Sequence, residues 1–319
     1  MPLPGTPRVS IVVLNWNGIR FLDECLTSVK DQSFNDFELI LVDNGSHDGS
    51  VDYVNRKYPW VRIISNAVNQ GFARGTNQGI SEAAGSYLVT LNNDTRVEQD
   101  WLLELVKTMD ADNAIGACQS LVLFYDDPEL IYNAGIDISR TGYPRNRDFS
   151  KKRASAGRAG PVSAACACSA IYRREALNQV GLFDESFWSY HEDVDLSWRL
   201  RRAGWKILFT PTSVVYHHGS GSTSYLSPLA LHHSAKNLLL MNVKNGSVPQ
   251  VVWQFLTIAF RYRRYILKPP CARETMKLLP QALAARRSIK NWASTTHFPG
   301  TASELSHLDV AVTTKVESS

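Results

Sequence analysis

Between Val9 and about Asn93, short apolar runs alternate with stretches whose apolar residues recur every three or four positions. The runs VSIVVL, FELILVD, VRIIS and SYLVTLNND read as strands. Between them, RFLDECLTSVKDQ sets Phe21, Leu22, Cys25, Leu26 and Val29 at helical spacing. SVDYVNRKY is helical until Pro59 interrupts it, and GFARGTNQGISEAAG is a glycine-bounded helical stretch. QDWLLELVKTM follows as a further amphipathic helix. Strands that alternate with helices predict a parallel sheet with right-handed crossovers.

The middle third is mixed, polar and glycine-rich, and reads as a short hairpin followed by a mobile basic loop over 145–158, which either closes over a ligand or is simply solvated. The pattern then recovers. VSAACACSAIYRREALNQVG predicts a strand feeding a helix, an acidic cluster precedes an Arg-rich helix, and KILFTPTSVVYHH supplies one or two strands. After about Ser224 the chain reads as helical. In a helix predicted over 250–264, Val252, Phe255, Leu256, Ala259 and Phe260 share one face, with Gln250, Gln254, Thr257, Arg261 and Arg264 opposite. The residues Lys268-Pro269-Pro270 stop it. The Ser/Thr-rich tail over 293–319 is predicted to be disordered.

The length of 319 residues allows one large domain or two smaller ones. A net charge of +4 is too small to indicate a nucleic-acid partner. The five cysteines form no CxxC pair and suit a reducing, cytoplasmic compartment. Cys166 and Cys168, read as alternating on a strand, are expected to pack in the core. The N-terminus lacks the look of a signal peptide, and no apolar run is long enough to span a membrane.

Polar clusters follow several of the strand-like runs: Asn15–Asn17, Asp43–Asp48, Asn92–Asp94 and His217–His218. One such cluster is ordinarily a turn. On a parallel sheet, however, strand ends converge on one crevice, where open α/β folds bind ligands. GxxxxGK[ST], GxGxxG after the first strand, HExxH and GxSxG are all absent. An acidic, metal-friendly site remains, with Asp94 as a hard oxygen donor for Mg²⁺ or Mn²⁺ and His217 as an imidazole donor. Glu192 and Asp193 are candidate bases, although carboxylates at a helix start are also favoured by the dipole. Asp195 is expected to pair with Arg199, four residues on, in a structural role.

The stretches VSIVVLNWNG, ELILVDNGSHDGS, NQGFARGTNQGI, YLVTLNNDTRVEQDWL and GLFDESFWSYHEDVDLSWRLRRAGW occur in that order. Over residues 8 to 245 the set resembles the family 2 glycosyltransferases of GT-A fold, and within them the rhamnosyltransferase-like enzymes of bacterial polysaccharide assembly. The resemblance implies an α/β fold with a mostly parallel central sheet and a helical C-terminal extension. It implies a catalytic domain over 1–224, with a nucleotide-sugar half at about 8–110 and an acceptor half at 111–224, then a helical region over 225–292. It places Asn15 and Asp43 at the nucleotide base and ribose, supported by Asn44 and Ser46, and Arg74 and Asn77 along the nucleotide and diphosphate. The family's acidic triplet stands here as Asn92-Asn93-Asp94, which leaves Asp94 as the direct metal contact. Asp193 falls at the usual general base, His217 near metal and diphosphate, and Lys236, where the family more often has Arg before Asn, at a diphosphate contact or a mere helix start.

The implied activity is inverting transfer of a sugar, of the rhamnosyl type, from a nucleoside-diphosphate donor to a hydroxyl of a glycan or lipid-linked acceptor. Two rivals are a sugar nucleotidyltransferase, which ordinarily has a glycine-rich phosphate loop after the first strand, and a non-catalytic nucleotide-sugar-binding module, which the missing first acid at Asn92 would suit. The helix over 250–264 is expected either on the inner face of the plasma membrane or packed on the catalytic domain or a second copy.

Overall fold

The computed structural model describes residues 5–219, 228–261, 277, 279–284 and 286. In chain order the elements are β1 (Val9–Asn15), α1 (Ile19–Lys30), β2 (Phe37–Asp43), α2 (Ser50–Lys57), β3 (Arg62–Ser65), α3 (Phe72–Glu82), β4 (Tyr87–Asn92), β5 (Thr95–Val97), α4 (Trp101–Ala111) and β6 (Ile115–Phe124). Then come β7 (Ile131–Asn133), β8 (Ile136–Ile138), β9 (Pro144–Asn146), β10 (Gly160–Pro161), β11 (Ser169–Arg173), α5 (Arg174–Val180), α6 (Glu192–Arg202), β12 (Lys206–His217), α7 (Pro228–Asn245) and α8 (Val248–Arg261).

A single 10-stranded sheet carries the order β10-β12-β6-β11-β4-β1-β2-β3, with β5 added to β12 and β7 to β6. Strand β1 is parallel to β2 and β4, β2 to β3, and β6 to β12. Strand β11 alone among the long central strands is reversed, between β4 and β6. The alternating pattern at the N-terminus did not announce this reversal. No α-helix lies between β6 and β11, so the chain has no helical crossover to carry it back, and it re-enters the sheet from the edge where β6 ended. Because β11 is antiparallel to both neighbours, β4 and β6 point the same way. The carboxyl ends of β1, β2, β3, β4, β6 and β12 therefore share one edge.

Alternating side chains divide the sheet's two faces. Ile11, Val13, Leu39 and Leu41 pack with Leu22, Cys25, Leu26 and Val29 of α1 and Trp101 and Leu105 of α4. Val12, Ile40 and Val42 pack on the other face with Ala73 and Ile80 of α3 and Leu196 and Leu200 of α6. Strand β6 is central, yet the reading of apolar runs passes over it. Its Gly116, Gln119 and Ser120 break the apolar run, although the strand is buried along nearly its whole length. Cys166 and Cys168 lie in the turn before β11 rather than on a strand, but both pack against the core as expected.

The predicted hairpin is β8 with β9. The loop beyond it is tied down rather than free. Ile131 N–H donates to the Lys151 carbonyl (2.8 Å), Ser150 N–H to the Ile131 carbonyl (2.8 Å) and Arg147 N–H to the Gly135 carbonyl (2.7 Å). A third core cluster, with Val194, Leu238, Met241 and Ile258, joins α6, α7 and α8. The predicted end of the 250–264 helix and the tail over 293–319 lie outside the described residues.

Candidate active site

The register of β1 with β2 sets Asn15 beside Asp43, and β1 with β4 sets Leu14 beside Asn92. The polar strand ends therefore meet. Asn15 Nδ2 donates to Asp43 Oδ1 (3.0 Å) and to Ser46 Oγ (3.2 Å), while Ser46 N–H donates to Asp43 Oδ2 (3.0 Å). Asn93 Nδ2 donates to Asn15 Oδ1 (2.7 Å), which joins this cluster to the end of β4. Gly18 leaves the space for that contact, since a Cβ there would strike both amides.

Asn44 organises the adjoining loop. Its Nδ2 donates to Asn69 Oδ1 (2.9 Å) and the Gly71 carbonyl (3.1 Å), and its Oδ1 accepts from Gln70 N–H (3.0 Å). Arg74, in the first turn of α3, is largely exposed, with Nε 3.9 Å from Glu185 Oε2. Asn77 was expected along the nucleotide, but the fold gives it other work. Its amide donates to the Phe183 carbonyl (2.8 Å) and accepts from Phe183 N–H (3.1 Å), bracketing α3 to the segment before α6.

The short strand β5 decides where the metal candidates lie. It pairs with β12 so that His217 faces Thr95, which brings the histidine to the preceding Asp94. His217 Nε2 is 3.1 Å from Asp94 Oδ1, with both side chains buried, and 3.4 Å from Asn92 Nδ2. Tyr132 meets the His217 ring edge-on at 4.8 Å. His217 Nδ1 has no hydrogen-bond partner among the described residues. His218 turns to the other side of the strand, where it stacks on Tyr125 and lies 3.7 Å from Glu24 Oε2. Among the described residues no three His, Cys, Asp or Glu side chains form a cage for an ion. A carboxylate and an imidazole with a neighbouring amide instead suit a hard cation completed by substrate phosphates and water.

Helix α6 opens with Glu192 and Asp193. Asp193 Oδ2 accepts from Ala167 N–H (3.1 Å) and Oδ1 from Val194 N–H (2.8 Å). Next in sequence, the Cys168 carbonyl accepts from Asn92 N–H (2.9 Å). The dipeptide Ala167–Cys168 thus ties the Asp193 carboxylate to the polar end of β4. Burial pushes the Cys168 thiol well up, reinforced by the charges of Cys166, Asp94 and Asp193 around it. Burial also raises the Asp193 carboxyl, partly offset by the N–H groups of Ala167 and Val194. Glu192 is raised well above the ordinary carboxylate range by burial and by Asp193 beside it, and its Oε2 has no partner among the described residues.

The turn into α6 is strained, with Trp188, Tyr190 and His191 at φ of 63°, 74° and 68°. Asn237 of α7 holds it there. Its Nδ2 reaches the carbonyls of Phe187 (2.8 Å), Ser189 (2.8 Å) and Tyr190 (2.7 Å). Lys236, expected at the diphosphate or at a helix start, is instead wholly buried in mid-helix, with Nζ 3.4 Å from the Ser186 carbonyl. Asp195 takes the structural role expected of it, with Oδ2 2.9 Å from Arg199 Nε and Oδ1 2.8 Å from Lys244 Nζ. Sequence reasoning missed Ala167–Cys168 and Asn69. The dipeptide acts through its backbone and leaves no side-chain signal, and Asn69 has the setting of any turn asparagine.

The family model for glycosyl transferase family 2 matches residues 10–181, which include β1, β2, β4 and the Ala167–Cys168 dipeptide. The chain belongs to that family. It is 27% identical over 268 residues to N-acetylglucosaminyl-diphospho-decaprenol L-rhamnosyltransferase of Mycobacterium tuberculosis, covering 76% of this chain and 86% of that protein. It is 29% identical over 239 residues to the O-antigen biosynthesis protein RfbC of Myxococcus xanthus, covering 69% of this chain and 18% of that one. Among solved structures it resembles the mannosyltransferase PcManGT of Pyrobaculum calidifontis in complex with GDP-Man and Mn²⁺ (TM-score 0.56, 18% identity, 98% of this chain and 82% of that one). It also resembles GalNAc-T7 with UDP, GalNAc and Mn²⁺ (TM-score 0.60, 19% identity, 76% of this chain and 48% of that one). These likenesses establish a GT-A-like fold and a glycosyltransferase.

Proposed function

We propose that this glycosyltransferase moves a sugar, with inversion at its anomeric carbon, from a nucleoside-diphosphate donor to a hydroxyl of a glycan or lipid-linked acceptor. One observation carries the reading: Ala167–Cys168 tethers the Asp193 carboxylate to the Asn92–Asp94 strand end. This reading takes Asp193 as the base and the Asn92–Asp94 strand end as the diphosphate-side donor set, and the dipeptide links the two. The rhamnosyl donor and lipid-linked acceptor rest on likeness to the mycobacterial enzyme.

In this reading Asn15, Asp43, Asn44 and Ser46 form the hydrogen-bonded floor for the nucleoside, and the exposed Arg74 guanidinium turns toward the diphosphate. Asp94 and His217 would hold Mg²⁺ or Mn²⁺. When bound, the cation supplies positive charge that stabilises the departing diphosphate. Asp193 accepts the proton of the acceptor hydroxyl as that oxygen attacks the sugar from the face opposite the leaving group. Its two N–H donors fix the carboxylate's direction without consuming its charge. Single displacement then inverts the anomeric centre.

The test is release of nucleoside diphosphate from a panel of nucleotide-sugars, with and without Mn²⁺ or Mg²⁺, on the native chain, Asp94→Ala and Asp193→Asn. The expected result is turnover of one donor that needs the cation, loses its metal response in Asp94→Ala, and falls by about 10²–10⁴-fold in Asp193→Asn. Near-normal transfer by Asp193→Asn would sink the assignment of the base.

A further inference from the structure

Helix α8 is mounted with part of its polar side inward. Gln254 is 1% exposed and donates from Nε2 to the Thr141 carbonyl (2.6 Å), and Ile258, four residues on, is buried in the cluster shared with α6 and α7. The apolar stripe faces out. Trp253, Phe255, Leu256 and Phe260 are 55%, 60%, 58% and 77% exposed, and Val248 and Val252 extend the stripe. A surface helix ordinarily does the reverse, and a contiguous exposed apolar patch marks an interaction surface.

Charge singles out the same stretch. Residues 247–292 hold nine of the chain's 34 Lys and Arg but one of its 30 Asp and Glu. That stretch therefore stands at +8 while the rest of the chain stands at −4, although the whole shows only +4. Arg261, Arg263, Arg264 and Lys268 follow the stripe directly, interleaved with Tyr262 and Tyr265. The stripe carries Trp and Phe, and the sequence beyond it is rich in Arg, Lys and Tyr, a composition that suits the headgroup region of an anionic bilayer. Self-association through the same stretch would set like charges against each other. No helix among the described residues is long and apolar enough to cross a membrane, so the contact lies in the plane of the surface.

We propose that the outward apolar stripe of α8 docks this protein on a phospholipid bilayer, and the positive charge of the sequence around it selects an anionic one. The surface is independent of the transfer reading, since a chain that transferred nothing would still bind. The test is co-sedimentation of the purified full chain with vesicles of phosphatidylglycerol and phosphatidylethanolamine, beside vesicles of phosphatidylcholine alone. The expected result is binding to the anionic vesicles only, released by NaCl at about 0.5 M. Binding should weaken at least about tenfold in Phe255→Glu with Phe260→Glu, and separately in Arg263→Glu with Arg264→Glu. Circular dichroism melts show whether each double variant is folded, and the salt series on the native chain needs no variant. Equal binding to both vesicle types overturns the proposal. So does absence of sedimentation, in which case a dimer by light scattering that the phenylalanine pair dissociates would assign the stripe to a second copy.

Discussion

At the scale of single residues, Asp193 and Gly71 show how the fold sets chemistry. Burial raises the Asp193 carboxyl, and a general base works only when unprotonated. Lowering the pH should therefore cut kcat/KM, with the fall centred above the ordinary aspartate value of about 3.9. A pH–rate profile on the native chain checks this, and an acid limb centred below that value would count against Asp193 as the base. Gly71 precedes α3 at φ +82°, and a Cβ there would lie 2.6 Å from Trp188 Cδ1. Gly71→Ala should lose about 1–3 kcal/mol in urea unfolding, from the backbone conformation and the collision together.

At the scale of elements, α7 is the support on which the end of α6 that carries the proposed base rests. Asn237 gathers three carbonyls of a turn in which Trp188, Tyr190 and His191 stand at positive φ, and Lys244 joins two acids. Lys244 Nζ lies 2.6 Å from Asp184 Oδ2 and 2.8 Å from Asp195 Oδ1. Burial alone would raise Asp184, but Lys244 outweighs it and holds that carboxyl at about 2. Asp195 is likewise lowered on balance, by Lys244 and Arg199 against its burial. A carboxyl depressed in the folded state stabilises above its unfolded value and loses that contribution as it protonates. Thermal melts should accordingly fall as pH drops from about 4 to about 2. Lys244→Met leaves Asp195 without one of its buried cations and should cost about 3–5 kcal/mol in denaturant titration. Asn237→Ala should lower kcat more than it weakens donor binding, because the turn it holds leads into Asp193 rather than into the nucleoside floor. Transfer kinetics beside nucleotide titration separate the two effects.

At the scale of the molecule, one sheet edge collects the carboxyl ends of six strands, and the reaction is expected there. A nucleoside diphosphate with Mn²⁺ should bind only the folded chain, so at a hundred times its Kd it should add about 2.7 kcal/mol of stability. A thermal-shift series with the nucleotide alone, the metal alone and both together measures this. Asp94→Ala should remove the metal-dependent part and keep the rest, since Asn15, Asp43 and Ser46 are untouched by the change. At the same scale, charge is distributed very unevenly: a mildly basic whole conceals an acidic body and a cationic C-terminal stretch.

The N-terminal alternation of apolar runs and helical stretches determined four parallel strands and their helices, because each such element is specified by its own period of side-chain burial. The polar residues at the strand ends were legible for the same reason, since a buried strand that stops in Asn and Asp shows its end in composition. Tertiary structure alone decided the rest. Strand β6 hides because glycine, glutamine and serine interrupt its apolar run, and the reversal of β11 depends on a connection without an α-helix. His217 reaches Asp94 through the three-residue strand β5, too short to show a period. Asn77 and Lys236, plausible ligand contacts by position, are committed to backbone carbonyls by helices that meet only in the folded chain. The outward apolar side of α8 was visible as a stripe, but a period does not say which side faces water. That was settled by Gln254, whose hydrogen bond to Thr141 turns the stripe out.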